Sequence, residues 1–138
     1  MKIERYQLNV AEELSKAAMK AHEAGNYLEA GIINFQRTEG LLRIIIIAYA
    51  YLRGIPASTI KAIKKEQSFY SLVIFYSLLK PKNDISERLF ALNKKRNSLV
   101  HKIFIDFKSP KSLEDELESF SSEAIAISLN FTKSLISS

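Results

Sequence analysis

The run from Leu41 to Leu52 constrains this chain most. It holds 12 residues with a single charge, Arg43, and four consecutive isoleucines from Ile44 to Ile47. The isoleucines alone suit a strand, because β-branched side chains pack well on a pleated surface. The run, however, continues a helical pattern from about Tyr27 with no turn before it, so it is expected to be helix as far as Arg53. A helix that is apolar almost all round belongs at the centre of a bundle or against a second copy of the chain. The run is too short, and too marked by Arg43, to span a bilayer.

The rest of the chain is punctuated like a helical protein. Only 4 glycines and 3 prolines occur in 138 residues, which leaves few breaks and long helices. One domain, 1–138, is expected, large enough for a real core. A first helix from about Ile3 to Glu23 carries Ala11, Leu14, Ala18 and Ala21, and Gly25-Asn26 stops it. The second, from about Tyr27 to Arg53, ends at Gly54-Ile55-Pro56. A third begins after Ser58 or Thr59, carries Phe69, Leu72, Val73, Tyr76 and Leu79 on one face, and closes at Pro81. A fourth starts at Asp84, with Glu87 completing a capping box, and runs to about Phe104. Ser109-Pro110 marks a loop. A fifth helix opens at Ser112 with Asp115 and carries Leu113, Leu117, Phe120, Ala124, Ile127 and Phe131. Short connections between long helices imply an all-α, up-and-down antiparallel bundle of about five helices. No strand pair and no internal repeat is found.

Composition excludes several chemistries. With no cysteine there is no disulfide framework, thiolate nucleophile or cysteine metal site, and a reducing cytoplasm fits. The start, MKIERYQLNVAEELSK, lacks an apolar core and does not read as a signal peptide. No Gly-rich phosphate loop, HExxH or paired-Cys zinc pattern occurs, and no G-x-S-x-G elbow, so no cofactor and no metal is expected. The two histidines, His22 and His101, fall in different helices, and His22 is expected as a surface residue near a helix end. The net charge of +5 is compatible with a nucleic-acid partner.

The chemically telling segment is Arg96-Asn97-Ser98-Leu99-Val100-His101. With Leu92 at zero on a 100° wheel, Ile85 and Ile103 fall near ~20°, Leu89 near ~60°, Leu99 near ~340° and Val100 near ~80°. Arg96, at about 40°, sits in the middle of this apolar stripe, and His101, at about 180°, lies at its edge beside Asn97 and Phe90. A guanidinium on a core-facing stripe is costly unless it is paired or lines a polar cavity. Arginine clamps phosphate and histidine changes charge near neutral pH, so the two form a minimal kit for handling a phosphodiester. On one helix they differ by about 140° and roughly 7.5 Å along the axis. They meet only if the arginine curls or if two copies face one another. Lys94, Lys95 and Lys102 raise the local attraction for anions such as RNA.

Glu39 is a second misfit charge. It shares a face of the second helix with Leu28, Ile32, Phe35, Ile46 and Ala50. Two pairings are open to it, Arg43 one turn on or Arg96 across the bundle. Two misfit charges of opposite sign on two core faces are more economically explained together, so Arg96 is expected within reach of Glu39 or of a dimer-related site.

These residues resemble a family. The segment AEELSKAAMKAHEAGNYLEAGIINFQRTEGLLR, with its acidic residue in the second helix, the five-helix layout, and LNKKRNSLVHKIF together are similar to the HEPN domain, the higher eukaryote and prokaryote nucleotide-binding family. The last segment matches the family's R-x-x-x-x-H helix, including the favoured Asn after Arg. The resemblance implies a bundle that dimerises with its R-x-x-x-x-H helices near the interface. Many members are metal-independent ribonucleases, often toxins beside a small nucleotidyltransferase antitoxin. Others keep the fold and bind nucleotides, RNA or a protein partner. Carried over, the catalytic set is Arg96 and His101, with Asn97 and Glu39 supporting. Toxins silenced by adenylylation carry a tyrosine two residues after the histidine, and here that position is Ile103. Three readings stand: a ribonuclease, a non-catalytic HEPN module, and a plain helical dimer scaffold.

Overall fold

In a computed structural model, which describes residues 5–66, 68–79, 85–105 and 110–136, the chain is all-α. Six helices follow one another: α1 (Arg5–Glu23), α2 (Tyr27–Leu52), α3 (Ala57–Lys65), α4 (Phe69–Leu79), α5 (Ile85–Ile105) and α6 (Pro110–Ile136). Helix α2 packs on α1, α3, α4 and α6, and α5 bridges α4 and α6. Among the described residues no helix is long and apolar enough to cross a membrane.

The expected punctuation closes α1 and α2 by one device. Gly25 and Gly54 have positive φ, 82° and 69°, where a Cβ would be strained. Around each, two backbone bonds catch the helix's last free carbonyls: Asn26 N–H to Ala21 O (2.8 Å) and Gly25 N–H to His22 O (3.0 Å) after α1, and Ile55 N–H to Ala50 O (3.0 Å) and Gly54 N–H to Tyr51 O (3.1 Å) after α2. These are Schellman caps.

The count of about five helices is corrected to six, because the third expected helix is two. Glu66 turns extended (φ −65°, ψ 126°) and ends α3. Its carbonyl, freed from helical bonding, accepts from Arg43 Nη2 (2.7 Å). Ser68 then opens α4, its hydroxyl accepting from Ser71 N–H (3.3 Å) while its own N–H donates to Glu66 Oε1 (2.9 Å). Helix α6 also starts earlier than Ser112. Pro110 occupies its first turn, where a missing N–H is harmless. The expected Asp84 cap and the Pro81 stop lie outside the described residues.

The core is the apolar half of every helix. Leu42, Ile45 and Ile46 of α2 meet Leu72, Val73 and Tyr76 of α4, Leu89 and Leu92 of α5, and Phe120, Ile127 and Phe131 of α6, all buried. Rings lock the layers: Phe35 against Phe69 at 4.3 Å between centroids, and Tyr76 edge-on to Phe131 at 5.8 Å. Helices α2 and α6 approach closely at Gly31. A Cβ on Gly31 would stand 2.5 Å from the Phe120 ring, so the absence of a side chain there is what lets the two helices touch.

A candidate site around Arg96

Helix α5 presents Ile85, Leu89, Leu92 and Leu99 to the core, all buried. That row carries Arg96 inward, and the side chain is half-buried. Its guanidinium lies over the Phe35 ring of α2, 4.4 Å from the centroid. It also donates from Nη2 and Nε to Asn97 Oδ1 (2.9 and 3.3 Å) and from Nη2 to Asn93 Oδ1 (3.5 Å). The charge is therefore met by an aromatic face and amide oxygens, which attract a cation without neutralising it. Among the described residues no partner is seen for Nη1.

Arg96 opens into a cavity of about 530 Å³. Its apolar walls are Leu28, Ile32, Phe35, Leu99 and Phe120, and its polar groups are Gln36, Glu39, Arg96 and Asn97. The two misfit charges thus share one hollow, as α2 and α5 together dictate. They do not pair. Glu39 is held by Arg43 Nη2 at 3.3 Å, the local alternative. One turn of helix brings those two groups together without spanning a cavity. Arg43 also holds the Glu66 carbonyl, so Glu39 and the α3–α4 break are tied by a single guanidinium.

His101 is exposed and does not line the cavity. No hydrogen bond is seen for it among the described residues. Within one chain, Arg96, Asn97 and Glu39 converge and His101 stands apart on the same helix. Lys94 is exposed. Lys95 is engaged by α6, donating to Ser119 Oγ (2.7 Å) and lying 3.7 Å from Glu123 Oε1. The Lys102 and Ile103 side chains lie outside the described residues.

Two polar residues sit differently from their expected or apparent places. His22 is half-buried, with Nδ1 2.9 Å from the buried Ser121 Oγ and its ring edge-on to Tyr27 at 5.0 Å. It links α1 to α6 instead of standing free at the surface. Arg37 of α2 is 5% exposed, the most buried cation described, and burial lowers its pKa from the ordinary arginine value. It donates from Nε to Ala11 O (2.7 Å) and from Nη1 to Ser128 Oγ and Ser128 O (3.3 Å). It shares its face of α2 with Asn34, Leu41 and Ile45, which are all buried. The only sequence signal for this was the helical spacing to the two apolar residues, which its polar neighbours Gln36 and Thr38 masked.

Compared with known proteins, the chain matches no family model, no curated protein sequence and no solved structure.

Proposed function

We propose that this protein cleaves single-stranded RNA without a metal ion, as a homodimer in which α2 and α5 meet a second copy. Arg96 clamps the phosphate, and His101 takes or returns the 2′-hydroxyl proton. Imidazole and guanidinium together cover proton transfer and charge stabilisation. The observation that carries this reading is the contrast between the two residues. His101 is exposed, so its imidazole is accessible to a ligand, while Arg96 is oriented by Phe35 and Asn97 where it lines a cavity. Asn97 positions the guanidinium, and Glu39 and Gln36 face the ligand. A second copy supplies what one chain lacks, a histidine opposite the arginine. Leu28 and Ile32, 40% and 41% exposed at the rim of the cavity, give that copy an apolar face to cover. The resemblance to HEPN proteins adds a small nucleotidyltransferase antitoxin as the partner to look for.

The second reading, a HEPN module that binds nucleotide or RNA without cutting, draws on the cavity itself: apolar walls with one cation, two amides and a carboxylate already paired to Arg43 suit a stacked base beside a phosphate. One assay separates the two. Purified protein is mixed with unstructured RNA at neutral pH in excess chelator. Cleavage by the wild type, abolished in His101→Ala with an unchanged thermal midpoint, supports the nuclease. Intact RNA with wild-type protein ends it. In that case, nucleotide binding that is lost in Arg96→Leu leaves the binding module, and no binding at all leaves the scaffold.

A further inference from the structure

Arg37 lies away from the Arg96 cavity and has no part in the chemistry above. Three of its surroundings are unusual in combination. It is buried at 5% exposure. Among the described residues no carboxylate stands within ion-pair distance of it, and its partners are a carbonyl and a serine. Its remaining nitrogen, Nη2, has no partner among the described residues and is not sealed from solvent. A buried cation with no carboxylate in ion-pair contact is a costly arrangement.

Arg37 also lines a hollow of about 410 Å³ distinct from the Arg96 cavity. One row of α1 lines it: Glu12, Ser15, Lys16, Lys20 and Glu23. The two lysines sit in the middle of that row, and the two carboxylates lie towards its ends. Lys16 is only loosely engaged, 3.8 Å from the exposed Glu13. Nε and Nη1 are already bound, so the guanidinium is held rigidly with one N–H edge to spare. A rigid arginine edge with two exposed ammonium groups and a hydroxyl nearby is the donor set an oxyanion needs.

We propose that Arg37, Lys16 and Lys20 form a binding site for a phosphate-type oxyanion, separate from the Arg96 cavity. The anion supplies the counter-charge that Arg37 lacks, and in doing so ties α1 to α2 and α6. The oxyanion is either free phosphate or the phosphate end of a larger molecule.

The test is a thermal-midpoint titration with inorganic phosphate against sodium chloride at matched ionic strength. The wild type is expected to show a saturable rise with phosphate. Lys16→Ala/Lys20→Ala changes only exposed side chains and is expected to weaken the half-saturating concentration tenfold or more. Arg37→Met is expected to abolish the response. Arg96→Leu is expected to keep it, which separates this site from the proposed nuclease site. Adenosine monophosphate acting at a tenfold lower concentration than phosphate would mark the ligand as part of a larger molecule, and equal potency would mark the free ion. A wild-type midpoint that phosphate raises no more than chloride overturns the proposal. So does a rise that survives in Arg37→Met and the lysine variant, or one lost only in Arg96→Leu.

Discussion

The guanidinium of Arg96 rests 4.4 Å from the centroid of the Phe35 ring, so the α5 and α2 walls of the cavity are joined by a cation–π contact. Phe35 is in turn pinned by Phe69 of α4. The arginine is thereby oriented by three helices before any ligand arrives.

This contact is measurable. In a double-mutant cycle of Arg96→Leu with Phe35→Leu, chemical denaturation should give a coupling of about 0.5–1 kcal/mol. Arg96→Leu alone should keep the fold, because no buried carboxylate is left behind. A coupling of zero would mean that the stacking has no energetic content.

Gly31 faces Phe120 more closely than any side chain allows. Gly31→Ala gains helix propensity but overpacks a buried ring, and should cost about 1–3 kcal/mol. Pairing it with Phe120→Leu should recover much of the loss. If the single variant is as stable as wild type by thermal melt, the approach of α2 to α6 is looser than described.

Arg37 predicts an inversion of the usual expectation for a buried charge. Its acceptors keep other partners: the Ser128 carbonyl, for one, also accepts from Thr132 Oγ1 (2.8 Å). Arg37→Met fills the space and removes a desolvated cation, so it should change stability by less than about 1.5 kcal/mol. Arg37→Ala opens a void and should cost about 2–4 kcal/mol. Equal losses in the two variants would show that the hydrogen bonds, not the packing, carry the side chain's contribution.

The dimer has its own test. Wild-type protein at micromolar concentration should scatter light as a dimer, and Ile32→Glu, a charge placed at the exposed rim of the cavity, should scatter as a monomer with the helical signal unchanged. A wild-type monomer under these conditions removes the second copy from the proposed mechanism.

The sequence carried the phase of α5 because four apolar residues repeat at helical spacing, and the inward turn of Arg96 follows from that phase alone. It also carried both glycine caps, since positive φ is a local demand. It did not carry the choice of partner for Glu39: Arg43 and Arg96 are equally cationic on paper, and only distance favours the nearer. The break between α3 and α4 was hidden for a related reason. Apolar residues recur at helical spacing on both sides of it, and part of what stabilises the extended Glu66 is an arginine 23 residues away. Arg37 escaped notice because a charge flanked by polar neighbours in sequence looks solvated. Its burial becomes visible when α1 and α6 close over it.

Helix α2 is the shared wall of nearly everything described: it holds Phe35 and Glu39 at the cavity, Arg37 beneath α1, and the isoleucines of the core. Four of the other helices rest on it. Its central amides should therefore exchange with deuterium only when the whole protein unfolds, at a rate set by global stability, whereas α3, which among the described residues rests on α2 alone, should open and exchange independently. The α2 wall of the cavity should therefore persist for as long as the chain is folded, while the α5 wall is held to it through α4 and α6, so what a ligand meets at Arg96 is set by packing two helices removed from the arginine.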